Sequence, residues 1–154
     1  MPIKFEHRVG IGAPAEVIWE ILADIPGWAA WNPIHPKAAG EVRFGERLTL
    51  TLALPGQAHE IIEPAIVDWT PNEAIHWRHS TTGGLVRSIR YLEIETLTAS
   101  GCFFSNGEIF EGLLGPMIAR RRRSSLRRGF AALGEALKER AETLWRERAG
   151  EIAH

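Results

Sequence analysis

The chain has 154 residues, 45% hydrophobic and 24% charged, with a formal net charge of -1. That length holds one substantial core and is short for two, so a single domain over residues 1–154 is expected. The apolar content excludes a disordered chain, and the near-neutral charge gives no footing for a polyanionic partner, so no nucleic acid is expected.

Residues 3–12 mix β-branched, apolar and charged side chains and end at Gly10 and Gly12, which predicts a strand and a turn. Pro14 suits a first helical turn, where its missing N–H leaves no intrahelical bond unmade. Val17, Ile18, Ile21 and Leu22 then recur at helical spacing, predicting a short amphipathic helix over 14–24. The segment Pro26-Gly27-Trp28-Ala29-Ala30-Trp31-Asn32-Pro33 is too broken by proline for a long helix and reads as a helical turn or lid.

From Lys37 onward the period is two. Leu48, Leu50, Leu52 and Leu54 alternate with Thr49, Thr51 and Ala53, the mark of a half-buried strand. Further strands are predicted at 39–44, 57–69, 74–81, 88–98 and 102–111, separated by turn pairs such as Pro55-Gly56 and Ser100-Gly101. Short turns between consecutive strands predict an antiparallel meander. Residues 115–149 place Leu126, Phe130, Leu133, Leu137, Ala141 and Leu144 three or four apart, predicting one long helix whose apolar stripe covers the sheet.

Cys102 stands alone inside an apolar run, which argues for a buried, inert thiol and excludes a site built on several cysteines. The six histidines form no helical pair and no metal-ligand spacing, and the sequence holds no phosphate loop or dinucleotide fingerprint, so neither a metal nor another cofactor is expected. No stretch approaches the roughly 20 apolar residues of a membrane span, and the opening residues lack the apolar run of a secretion signal. A cytoplasmic location is expected. Nothing in the sequence separates a monomer from a homodimer.

Three stretches carry a family resemblance: Ala13-Pro14-Ala15-Glu16-Val17-Ile18-Trp19, then Trp31-Asn32-Pro33, then Glu108 through Phe110, Gly112, Leu113 and Leu114 to Pro116. With the helical segment Arg128-Gly129-Phe130, Leu133 and Ala136-Leu137-Lys138, they resemble the START-like, or SRPBCC, superfamily in its polyketide cyclase/dehydrase and lipid-transport branch. The resemblance implies an α+β helix-grip fold: about seven curved antiparallel strands, two short N-terminal helices and one long C-terminal helix. It also implies a cavity between sheet and helix that holds a hydrophobic or aromatic small molecule, with cyclase, aromatase or dehydratase activity and a protein-interaction or stress-response role as alternatives.

Within that frame, Phe104, Asn106, Glu108 and Phe110 share one strand face. If that face points inward, Glu108 is a candidate catalytic base or a hydroxyl-binding group. The opposite face also carries apolar residues, so the facing stays open. Similar proteins often carry histidine at the position of Asn106, and an amide relays no protons. Trp28, Trp31 and Asn32 fall where relatives open their cavity; Trp77, alternating with Ile75, is a candidate wall residue, and Arg90, in line with Leu92, is either an internal, ligand-facing charge or an edge-facing surface arginine. On the long helix, Arg120, Arg121, Arg127 and Arg128 project to a solvated face. Arg122 is almost in line with Leu126, poised to clamp an anionic ligand or neutralise Glu108.

Overall fold

The computed structural model describes residues 2–153; His154 lies outside the described residues. Strand β1 (Ile3–Ile11) leads into helix α1 (Ala15–Ala23) and a 3-10 turn at Pro26–Ala30. Then follow β2 (Ala38–Ala39), β3 (Thr49–Leu52), β4 (Glu60–Ile62), β5 (Ala65–Thr70), β6 (Ala74–Thr81), β7 (Val86–Thr98) and β8 (Gly101–Glu111). Two helices, α2 (Gly115–Arg121) and α3 (Arg123–Ala153), end the chain.

The strands form an antiparallel five-stranded sheet in the order β1-β8-β7-β6-β5 and a three-stranded sheet β2-β3-β4. A bridge between Arg47 and Ala65, with the Leu48 amide donating to the Pro64 carbonyl at 2.8 Å, joins the two into one curved surface. Alternation accounts for the facing: Ile75 and Trp77 of β6, Leu92 of β7 and Phe104 of β8 are buried on the concave side. Helix α1 turns Val17, Ile18, Ile21 and Leu22 into the same core, and α3 adds Phe130, Leu133 and Leu137. Cys102 is buried there, its thiol pushed up by desolvation.

Three predicted elements are corrected. The strand expected at 39–44 stops at Ala39, because Gly40 takes φ +127°, a conformation that only glycine adopts without strain. The strand expected at 57–69 is two, divided at Pro64: β4 pairs in the small sheet and β5 in the large one. The count is therefore eight strands among the described residues rather than about seven.

The expected single helix over 115–149 is also two, broken at Arg122 (φ -100°, ψ 8°). Neither proline nor glycine marks the break, and hydrogen bonds run on across it, the Arg122 amide donating to the Ile118 carbonyl and the Leu126 amide to the Arg122 carbonyl. The bend lays α2 over the ends of β7 and β8 while α3 packs on β1, β8 and α1. With 31 residues, α3 runs about 46 Å. A Cβ at Gly129 would lie 2.8 Å from Leu54 Cδ2 and 3.3 Å from Ile34 Cγ2, so this glycine lets α3 approach the β3–β4 side closely.

Candidate functional site

Between the concave sheet and the C-terminal helices lies a cavity of about 260 Å³. Leu52, Leu54 and Ile62 wall it from the small sheet, Trp77 and Phe110 from the large one, and Ile118, Leu126 and Phe130 from α2 and α3. Set into this apolar lining are His35, Glu60, His79, Ser88, Arg90, Glu108 and Arg122. A mostly apolar hollow with a few convergent polar groups is the usual form of a small-molecule site.

Arg90 organises the polar end. It is 4% exposed and stands opposite Glu108 in the β7–β8 register. Its guanidinium donates to Asn106 Oδ1 at 2.8 Å, to the Gly107 carbonyl at 3.0 Å and to the Tyr91 carbonyl at 3.1 Å. It also lies over the Phe130 ring, 4.3 Å from the centroid. Burial lowers its pKa to about 10, partly countered by Glu108, so it remains a cation at neutral pH.

Asn106 is fully buried and engaged at both ends, since its Nδ2 donates to the Phe130 carbonyl at 3.1 Å. It ties Arg90 to α3 and does not line the cavity. Glu108, its neighbour on the same face, is half-buried and lines the cavity. Desolvation pushes the Glu108 carboxyl above the ordinary carboxylate range; Ser88, Arg90 and Arg122 pull it back, and Glu60 adds to the rise.

A raised folded-state pKa means that the ionised form is disfavoured in the native protein, so stability falls as pH rises through that pKa. Glu108→Gln removes the penalty. The variant should match the wild type below the usual carboxylate pKa of about 4, exceed it increasingly as pH rises to the raised folded-state pKa, and hold a constant advantage above that, as urea melts at several pH values would show. An unchanged difference across pH would refute the assignment.

The candidate residues divide as follows. Trp77, Arg90, Glu108, Phe110, Arg122 and Leu126 line the cavity. Phe104 and Trp28 are buried behind it, Trp28 donating its indole N–H to the Leu22 carbonyl at 3.1 Å and stacking on His35 with centroids 5.7 Å apart. Trp31, expected near the opening, instead borders a separate groove with Glu20 and Arg140, because the 3-10 turn directs it toward α1 and α3. Asn32 is a turn former: its Oδ1 accepts from the Ile34 and His35 amides, both at 3.1 Å.

Arg122 does not pair with Glu108. The helix break carries it to Glu60 of β4, at 3.2 Å, where the two span the cavity wall. Arg120, Arg121, Arg127 and Arg128 are exposed. His35, His79, Ser88 and Glu60 are cavity residues that sequence reasoning passed over. Ser88 was within reach of the period-two pattern, two residues before Arg90 on the same face. Among the described residues, no cluster of three or more His, Cys, Asp or Glu side chains is placed to hold a metal, and no helix is long and apolar enough to cross a membrane.

A curved antiparallel sheet gripped by a long C-terminal helix, with a lined cavity between them, defines a START-like helix-grip protein. The chain belongs to the polyketide cyclase/dehydrase and lipid transport family, whose sequence model matches residues 2–142. Among solved structures it is similar to the Zhui aromatase/cyclase of a Streptomyces species, at 25% identity and TM-score 0.75, covering 92% of this chain and 94% of that one. A START superfamily protein from Mycobacterium smegmatis aligns at 22% identity and TM-score 0.70, over 92% and 98% of the two chains. Norcoclaurine synthase from Thalictrum flavum shares the fold at 14% identity and TM-score 0.68, over 92% and 94%. No curated protein matches the chain.

Proposed function

We propose that this protein binds a hydrophobic or aromatic small molecule in the cavity between the sheet and its C-terminal helices. The observation that carries the reading is the cavity itself. At about 260 Å³ it is larger than the ~150 Å³ apolar cavity known to take up benzene, which leaves room for a ligand of two or more rings. Leucine, isoleucine and aromatic walls supply affinity, and the few polar groups supply orientation.

Native mass spectrometry of freshly purified protein, followed by organic extraction, tests it directly. A bound species that leaves on extraction and is lost when Leu126→Trp fills the cavity is the expected result. A wild-type protein that takes up no apolar probe refutes the reading.

A second reading, catalysis of the cyclase, aromatase or dehydratase type, is favoured by one observation. Glu108 has a pKa shifted upward in the same cavity as a buried arginine, the kind of pairing that acid–base chemistry on a carbonyl or hydroxyl requires. The similar Streptomyces protein is an aromatase/cyclase. Under this reading Glu108→Gln abolishes conversion of a poly-β-ketone analogue while leaving its binding intact.

A further inference from the structure

Among the described residues, four buried side-chain polar atoms find no hydrogen-bond partner: His7 Nδ1, Asn32 Nδ2, His35 Nε2 and Trp69 Nε1. Only His35 belongs to the cavity wall. Its environment fixes its chemistry. The ring is 1% exposed, and Nδ1 lies 3.1 Å from the Thr51 carbonyl oxygen. A carbonyl only accepts, so Nδ1 carries the proton and Nε2 presents a bare lone pair.

Protonation of that lone pair is opposed by burial and by the nearby Arg90 charge, which together lower the pKa to about 3. His35 is therefore a neutral acceptor throughout the physiological range. The backbone holds it there: Asn32 Oδ1 caps its amide, Trp28 stacks on one face, and Trp77 meets it edge to face with centroids 5.9 Å apart. An unmet buried acceptor is destabilising, and a rigid mounting of this kind retains it in one orientation.

We infer that His35 Nε2 is a specificity-determining acceptor for the hydroxyl of a neutral aromatic ligand whose ring lies against Trp77. This rests on the hydrophobic-ligand reading and narrows it. A carboxylate or phenolate would set its own lone pairs against Nε2, so the end of the ligand that reaches His35 carries a donor. Trp77 lines the same cavity and lies beside the imidazole, so an aromatic ring packed on this wall has its hydroxyl close to His35. Phenolic O–H is the neutral donor that combines both features.

The test compares naphthol with its methyl ether, which has the same ring system and no donor. Tryptophan fluorescence titration of the wild type should show naphthol binding about tenfold more tightly, the equivalent of about 1.4 kcal/mol for one hydrogen bond. His35→Phe should erase that preference and leave the ether's affinity nearly unchanged.

Should His35→Phe fail to fold, nitrogen NMR of histidine-labelled wild type decides. The Nε2 resonance should move upfield with naphthol and stay in place with the ether. Equal affinities, a preference that survives His35→Phe, or an unmoved Nε2 resonance overturns the assignment while the hydrophobic-ligand reading stands. If neither naphthalene binds, both fall.

Discussion

Replacing Arg90 with methionine is expected to lower the unfolding free energy by about 3–5 kcal/mol, the cost of removing one member of a buried charged network. Methionine fills similar space but makes none of the three hydrogen bonds, so Asn106 Oδ1 and the Gly107 and Tyr91 carbonyls lose a donor inside the protein. The Phe130 ring loses the cation above it. Glu108 loses one of the positive charges that pull its pKa down, which makes its ionised form costlier still.

That last effect gives the prediction a signature beyond the loss itself. Adding Glu108→Gln to Arg90→Met removes the stranded carboxylate, and the pair should recover about 1–2 kcal/mol relative to simple addition. Urea denaturation followed by tryptophan fluorescence measures all four members of the cycle. A loss below about 1 kcal/mol for Arg90→Met, the range of an exposed ion pair, would mean that this arginine is not the buried anchor its contacts describe.

The network was only half legible in the sequence. The period of two placed Asn106 and Glu108 on one face, and Arg90 in line with Leu92, because alternation survives any change in tertiary context. It did not say which face turned inward. The β7–β8 register puts Arg90 on the same face as Glu108, and that this face turns inward follows from its packing against α3, where Asn106 and Arg90 meet Phe130. Leu48, Leu50 and Leu52 announced β3 by the same alternation, whereas the division at Pro64 was hidden because both halves are good strand sequence and only pairing with different sheets separates them.

Arg122 lines the cavity, but its ion-pair partner, Glu60 of β4, was not legible in the sequence. Its helical projection toward Glu108 assumed one continuous helix, and the break occurs at the arginine itself, with no proline or glycine to announce it. His35 had no periodicity to reveal it. It sits in an irregular segment, oriented by an asparagine three residues earlier and by a carbonyl sixteen residues later. Its nearness to Trp31-Asn32-Pro33 was the one available signal, and that motif pointed to Trp31, which the 3-10 turn sends elsewhere.

Truncating Phe130 to alanine should separate stability from cavity size. The ring is 2% exposed, lines the cavity and lies beneath the Arg90 guanidinium, so its loss should destabilise the protein by about 3–5 kcal/mol. One side of the ring already faces open space, so the removed volume joins the cavity instead of forming a closed void. The backbone of α3 at this position stays tied to β8, because the bond from Asn106 to the Phe130 carbonyl does not depend on the side chain. A ligand that fills the enlarged space recovers part of the loss, because binding to the native state alone stabilises by about 2.7 kcal/mol at a hundredfold excess over Kd. Thermal melts with two-ring and three-ring aromatic alcohols therefore carry opposite expectations: the wild type gains more from the smaller, Phe130→Ala from the larger. Were the variant to respond to both as the wild type does, the ring would be core packing and the cavity boundary would lie elsewhere.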